Sequence, residues 1–152
     1  MCVIVDANRR DDFFSAAPSP AAQLIRDWIQ SGKGNLVVGG KLTEELCGAA
    51  FARREITEWL KSGRARRADQ ERYEQATKEV DALALRSDDA HIIALARATG
   101  ARTLFTADGR SKGALMGDFR DTNLVPKPKG RIFQSVKHFA LLTHTRGCLG
   151  QH

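Results

Sequence analysis

The 152-residue chain lacks the long apolar run that a membrane-spanning helix requires. Such a helix needs about 20 consecutive apolar residues, and every apolar stretch here is far shorter. The first residues, Met1 to Asp6, contain no basic segment and reach an acidic residue too early for a secretory signal peptide. We therefore expect a cytoplasmic protein with no membrane partner.

Cysteine is also scarce. Cys2, Cys47 and Cys148 are odd in number, far apart in the sequence, and form no CxxC pair. We expect each of them to be an idle thiol in a reducing compartment. Hydrophobic residues make up 42% of the sequence, which is typical of a globular chain, and the length suits one domain, 1–152, with one core.

Acidic residues are missing altogether from the last part of the sequence. None follows Asp121, whereas a basic C-terminal segment, 126–152, contains Lys127, Lys129, Arg131, Lys137 and Arg146. A second basic cluster lies between Arg53 and Arg72, and the net charge is +6. A basic surface around an acidic centre suits a polyanion that brings its phosphate to a metal. A solvated helix face followed by a basic tail is the alternative interpretation.

Short β-rich runs alternate with helical periodicity along the chain. The predicted strands are Val3–Val5, Leu36–Val38, Thr103–Thr106 and an edge strand at Arg131–Phe133. The first predicted helix starts at Ser19–Pro20, and Leu42–Leu60 forms one helix or two. Further helices are predicted from Asp69 to about Leu85, from Ser87 to Gly100, and over Val136–Leu142. Arg110–Met116 is predicted to be a short helix or a loop. This alternation predicts a three-layer α/β/α sandwich with a central, mostly parallel twisted sheet.

Four acidic residues stand where strands end or helices begin. Asp6 closes the first strand, and Asp108 follows Leu104–Thr106. If these two strands are parallel neighbours, both carboxylates emerge at the edge where open α/β sheets bind ligands. Glu45 and Asp89 are candidates to join them. Mg²⁺ and Mn²⁺ prefer such hard oxygen ligands, and a cation makes a cluster of carboxylates tolerable.

Taken singly, none of these acids is specific for a metal site. An aspartate after a strand commonly forms a turn, an acid at a helix start commonly caps the helix, and a helical glutamate is commonly on the surface. Glu44 directly precedes Glu45, and Asp88 directly precedes Asp89. At both places the site residue could therefore be either member of the pair. His91, two residues after Asp89, is predicted to be a polar core or surface residue.

The sequence around the four acids resembles that of the PIN-domain nucleases. Val3–Asn8 is similar to the family's opening strand, whose terminal Asp is a metal ligand. Leu42–Leu46 resembles the second motif, in which Glu precedes Leu, and this favours Glu45. Asp89–Ala96 is similar to the third motif, and Leu104–Asp108 to the fourth, a strand that ends in Thr-x-Asp. The motifs follow one another in the family's order.

This resemblance implies a Mg²⁺- or Mn²⁺-dependent endoribonuclease. Asp6, Asp89 and Asp108 would bind the metal, and Glu45 would complete the catalytic acidic pocket. Asn8 and Thr106 would orient ligands or water by hydrogen bonds. The implied partner is RNA, and the family allows a toxin-type member with a cognate antitoxin, or a homodimer. Residues predicted to hold the RNA backbone are Arg53, Arg54, Arg64, Arg66, Arg67, Arg110 and Lys112.

Two other classes of function compete with the nuclease. A phosphatase or phosphotransferase of the haloacid-dehalogenase type would have Asp-x-Asp after the first strand, where this chain has Asn8. A receiver domain needs an acidic pair beside that strand, and Asp11–Asp12 lies too far along. A non-catalytic RNA-binding or protein-interaction module with the same fold is the second class. The acidic set disfavours it, because a negative pocket repels phosphate.

Overall fold

The computed structural model describes residues 2–107 and 113–143, and within them five parallel strands form one sheet. The strands are β1 (Cys2–Val5), β2 (Asn35–Val38), β3 (Ala65–Arg67), β4 (Thr103–Phe105) and β5 (Arg131–Phe133), in the order β3-β2-β1-β4-β5. The central strands β1 and β4 are buried along their whole length, as continuous apolar runs in a parallel sheet require. The predicted α/β class and parallel sheet are confirmed.

Helices connect consecutive strands. They are α1 (Arg10–Phe13), α2 (Pro20–Gln30), α3 (Gly40–Leu46), α4 (Ala50–Ser62), α5 (Gln70–Asp81), α6 (Ala90–Thr99) and α7 (Gly113–Arg120), with 3-10 helices at Ala7–Arg9 and Val136–Thr143. Ser19 caps α2 by accepting a hydrogen bond from the Ala22 N–H, and Pro20 occupies the first helical position. None of the helices in the described parts of the chain is long and apolar enough to cross a membrane.

The helices form two layers with the sheet between them. In one layer the Phe13 and Trp59 rings of α1 and α4 meet edge to face with centroids 6.0 Å apart, and Arg26 of α2 pairs with Glu55 of α4. In the other layer α6 packs against both α3 and α5. Together the layers bury both faces of the sheet and give the three-layer α/β/α architecture.

The strand order reverses between β1 and β4. The chain runs outward from β1 through β2 to β3, then returns to place β4 on the other side of β1. Val5 of β1 is paired with Phe105 of β4. Open α/β sheets bind ligands in the crevice at the carboxyl ends of the two strands that flank such a topological switch point. The residues that leave β1 and β4, Asp6 and Thr106, therefore stand at the expected ligand edge.

Several predicted elements differ from the structure. Strand β3 lies in the basic cluster between Arg53 and Arg72, where no strand was predicted. Ala65 is its sole buried residue, so the sequence shows no apolar run there. The helix predicted to reach Leu85 ends at Asp81, before the exposed Leu83. Of the two possibilities predicted for Leu42–Leu60, the structure has two helices, which are interrupted around Gly48. The last element is a 3-10 helix. A 3-10 helix and α1 follow Asp6, in a part of the chain where no helix was predicted.

The cysteines depart in part from expectation. Cys47 is a free thiol, as predicted. Cys2 is disulfide-bonded, so the prediction of an idle thiol is wrong there. Cys148 lies outside the described residues. Cysteine usage therefore does not support a reducing compartment.

Gly130, just before β5, gives a test of the packing. A Cβ at this position would lie 2.1 Å from the backbone carbonyl oxygen of Phe119, which cannot move aside as a flexible side chain would. We expect Gly130→Ala to lower the free energy of unfolding by roughly 1–3 kcal/mol. Gly113→Ala is the control, since a Cβ there meets nothing within 4 Å. Urea unfolding measures both variants, and equal midpoints would contradict the close contact.

Candidate functional site

Asp6 is a buried carboxylate at the carboxyl end of β1, with 3% of its surface exposed. Its N–H donates to the Phe105 carbonyl oxygen at 2.9 Å, which continues the ladder between β1 and β4 by one residue. The Thr106 hydroxyl donates to Asp6 Oδ2 at 2.9 Å. The acid is therefore held at the switch point by the strand that lies beside it.

Asn8 joins the same cluster from the 3-10 helix that follows β1. Its side-chain oxygen accepts a hydrogen bond from the Ala107 N–H at 3.1 Å, and its Nδ2 donates to Thr106 Oγ1 at 3.3 Å. The two residues predicted to orient ligands, Asn8 and Thr106, thus bond to each other, and Thr106 bonds to Asp6. Three other predicted site residues, Asp108, Arg110 and Lys112, lie outside the described residues.

Glu45 and Glu44 point in different directions from α3. Glu44 is exposed, whereas Glu45 is half-buried and its Oε1 lies 2.7 Å from His91 Nε2. That contact lacks the alignment of a hydrogen bond, and within the described chain no other donor reaches this buried oxygen. The main-chain oxygen of Glu45 accepts a hydrogen bond from Arg10 Nη1 at 2.9 Å. Glu45 is therefore the inward-facing member of the pair.

Asp89 and Asp88 differ in the same way. Asp88 is exposed, whereas Asp89 is half-buried and immediately precedes α6. The Asp89 N–H donates to Ser87 Oγ at 3.3 Å. Because His91 in the first turn of α6 contacts Glu45, the start of this helix lies at the same end of the molecule as Glu45. The structure thus gives Asp89 the more enclosed position.

His91 belongs to this region, although sequence reasoning set it aside. It lies one helical residue beyond Ala90 at the start of α6, its side chain is only 10% exposed, and it contacts Glu45. The signal in the sequence was the placement of a histidine directly before Ile92–Ala96, a run that is buried throughout. A polar residue entering so buried a helix needs a polar partner, and here the partner is Glu45.

Arg9 is a second residue that sequence reasoning missed. It lies in the 3-10 helix three positions after Asp6, with its guanidinium 4.7 Å from the centroid of the Phe105 ring. Its Nη1 is 3.7 Å from Asp12 Oδ2, and its buried Nε has no hydrogen-bond partner among the described atoms. A cation stacked on the last residue of β4 places positive charge beside the switch point.

The predicted RNA-binding arginines do not all lie near Asp6. Arg53 and Arg54 are exposed on α4, and Arg67 is exposed at the carboxyl end of β3. Arg64 and Arg66 instead line a cleft of about 260 Å³ with residues that precede β2, at the amino-terminal edge of the sheet. In a parallel sheet that edge is opposite to the carboxyl end of β1.

A complete metal centre is not visible in the described part of the chain. Within residues 2–107 and 113–143, no group of three or more His, Cys, Asp or Glu side chains is arranged to hold a metal ion. The donors that are described nevertheless have suitable chemistry. Asp6, Glu45 and Asp89 offer the hard oxygens that Mg²⁺ and Mn²⁺ prefer, and Glu45 Oε1 is a buried acceptor without an aligned donor.

Comparison with known proteins found no matching family model, no similar curated protein and no similar solved structure. The PIN-domain resemblance therefore rests on the four sequence motifs. The functional inference rests on those motifs together with the geometry at the switch point.

Substitutions of Thr106 and of Thr103, three residues earlier, test the hydrogen bond to Asp6. Thr106→Val removes the hydroxyl that donates to a buried carboxylate, and we expect it to lower the free energy of unfolding by about 1–3 kcal/mol. Thr103→Val is the matched control, because Thr103 is fully buried and its hydroxyl has no partner among the described residues. Thermal and urea unfolding should show Thr103→Val neutral or stabilising. Equal losses in both variants would contradict a specific bond to Asp6.

Proposed function

We propose that the chain is a Mg²⁺- or Mn²⁺-dependent endoribonuclease that hydrolyses phosphodiester bonds in RNA. The observation that carries the proposal is a buried carboxylate, Asp6, fixed by Thr106 at the topological switch point of a parallel sheet. Open α/β sheets bind their ligands at this edge. The motif resemblance to PIN-domain nucleases independently selects the same acid as a metal ligand.

The proposed metal ligands come from three elements. Asp6 follows β1 and Asp89 precedes α6, while Asp108 is the ligand expected from the sequence after β4. Glu45 on α3 completes the acidic pocket. A bound divalent ion would supply a water of lowered pKa as nucleophile and would neutralise charge on the attacked phosphate.

The chain's own residues orient these acids. Thr106 donates to Asp6 Oδ2 and so fixes the plane of that carboxylate. Asn8 accepts from Ala107 and thereby holds the chain that leaves β4. Arg10 binds the main-chain oxygen of Glu45, and His91 contacts its side chain. Such polar contacts from residues outside the ligand set limit the rotation of ligands and tune metal affinity.

Charge supports a polyanionic substrate. The net charge is +6, although the proposed pocket is acidic. Phosphate groups are attracted by cations around such a pocket, and this attraction weakens as salt rises. Arg9 is the cation that the structure places beside the switch point, on the ring of Phe105. We assign it the contact with a substrate phosphate.

A toxin role with a cognate antitoxin, and a homodimer, are hypotheses that follow from the sequence resemblance alone. A non-catalytic RNA-binding module is the alternative function. It predicts that RNA binds without being cut in the presence of either metal.

Asp6→Asn is expected to abolish Mn²⁺- or Mg²⁺-dependent RNA cleavage while the protein stays folded. The amide keeps an oxygen that can accept the Thr106 hydrogen bond but removes the charge that a cation needs. The measurement is cleavage of a mixed RNA pool with Mn²⁺ or with chelator, followed by mapping of the cut ends. Circular dichroism checks the fold.

Asp88→Asn is the control for this experiment, because Asp88 is an exposed carboxylate next to a proposed ligand. It should retain cleavage. Undiminished turnover by Asp6→Asn would overturn the mechanism. RNA binding without cleavage by the unaltered chain would favour the non-catalytic module.

Arg9→Ala is expected to raise the KM for RNA on the order of tenfold, the effect of losing one charged hydrogen bond. Arg64→Ala should change KM little, since Arg64 lines the cleft at the opposite edge of the sheet. Steady-state cleavage at low salt measures both. A larger effect from Arg64→Ala than from Arg9→Ala would place the substrate on the other side of the molecule.

A further inference from the structure

Asp118 of α7 is a fully buried carboxylate, with 0% of its surface exposed. It accepts hydrogen bonds from the Arg86 N–H at 3.0 Å and from the Ser87 N–H at 2.9 Å. The Ser87 hydroxyl donates to it at 2.8 Å, and Arg86 Nη1 at 3.3 Å. All of these donors belong to two consecutive residues in the turn between α5 and α6.

The turn held by Asp118 ends at a proposed metal ligand. Ser87 Oγ, which donates to Asp118, also accepts the hydrogen bond from the Asp89 N–H at 3.3 Å. Asp89 in turn is the residue from which α6 begins. One side chain, Ser87, therefore links the buried carboxylate of α7 to the backbone of Asp89.

Most side chains of this turn are exposed, and Leu85 is partly buried against the core. Ala82, Leu83 and Ala84 are exposed, and so are Arg86 and Asp88. Burying a carboxylate costs several kcal/mol unless charge-assisted hydrogen bonds offset the loss of water. A carboxylate buried in this way contributes fixed hydrogen bonds rather than apolar packing. Here those hydrogen bonds are directed at the backbone of Arg86 and Ser87.

We propose that Asp118 is a positioning residue: by binding the turn at Arg86 and Ser87, it sets the place of the Asp89 carboxylate and thereby its affinity for a divalent cation. This inference rests on the proposed function, in which Asp89 binds the metal. Asp118 itself touches neither metal nor substrate.

Asp121 offers a matched control one helical turn further on. Its Oδ2 lies 3.3 Å from Arg86 Nη1, so it shares one partner with Asp118. Its Oδ1 accepts the Asn123 N–H at 2.9 Å and contacts no backbone donor of the turn. The Asn123 N–H and the Arg86 guanidinium lower the pKa of Asp121. Asp121→Asn thus removes a charge near Arg86 without releasing the Arg86 and Ser87 amides.

The experiment compares Asp118→Asn with Asp121→Asn by hydrogen exchange and by Mn²⁺ titration. In Asp118→Asn the side-chain NH₂ replaces an oxygen that accepts hydrogen bonds, and it faces the N–H groups of Arg86 and Ser87, which are donors too. We expect the Arg86 and Ser87 amides to exchange about 10- to 100-fold faster in Asp118→Asn, as loss of charged hydrogen bonds predicts. Mn²⁺ affinity should fall by about 10- to 100-fold, the usual cost of losing a group that orients a metal ligand. Asp121→Asn should leave both quantities near those of the unaltered chain.

Ser87→Ala and Ser87→Thr keep the test decisive if Asp118→Asn does not fold. The alanine removes the hydroxyl that joins Asp118 to Asp89, and we expect weaker Mn²⁺ binding; threonine retains a hydroxyl and should restore it. Equal Mn²⁺ affinity in both Ser87 variants would overturn the proposal.

The exchange data separate failure of this inference from failure of the proposed function. Unchanged exchange in a folded Asp118→Asn protein shows that Asp118 does not hold the turn. Faster exchange with unchanged Mn²⁺ affinity shows that the turn does not set the metal site. If the unaltered chain binds no Mn²⁺, the proposed metal site fails, and with it the role assigned to Asp118 in metal affinity.

Discussion

The parallel pairing of β1 with β4 is the interaction on which the candidate site depends. Because Val5 pairs with Phe105, the next residues along the two strands, Asp6 and Thr106, leave the sheet side by side and bond at 2.9 Å. Side chains alternate between the faces of a sheet, so a slip of one residue would send Thr106 to the opposite face and would move each buried strand side chain away from its packing partners. The same apolar burial that fixes the strand register therefore fixes the geometry of the acid.

The helices extend this arrangement through polar contacts with other elements. Glu45 is held between Arg10, which binds its main-chain oxygen, and His91 of α6. The turn before Asp89 is held by Asp118 of α7. In each case a residue outside the acidic set restrains an acid or its backbone. In the proposed metal site such restraint would oppose the repulsion between like-charged carboxylates.

The sequence predicted the parts of this arrangement that depend on local pattern. The short β-rich runs of β1 and β4 predicted that Asp6 and Asp108 leave the sheet at the same edge. The structure shows Asp6 at that edge, bonded to Thr106, and Asp108 lies outside the described residues. β3 escaped detection because Ala65 is its sole buried residue and its pairing with β2 is a tertiary effect. The contacts of His91 with Glu45 and of Asp118 with Ser87 could not be predicted either. Each joins residues that are distant in the chain, and each depends on where the side chains point in the fold.

The most direct test of the central claim is a diffraction measurement on crystals soaked in Mn²⁺, with data collected for the anomalous signal of manganese. We expect an ion bonded to a carboxylate oxygen of Asp6, with Asp89 contributing to the same site. Anomalous density at another location, or none beside Asp6 at a saturating Mn²⁺ concentration, would contradict the assignment of this edge of the sheet as a metal-dependent nuclease centre.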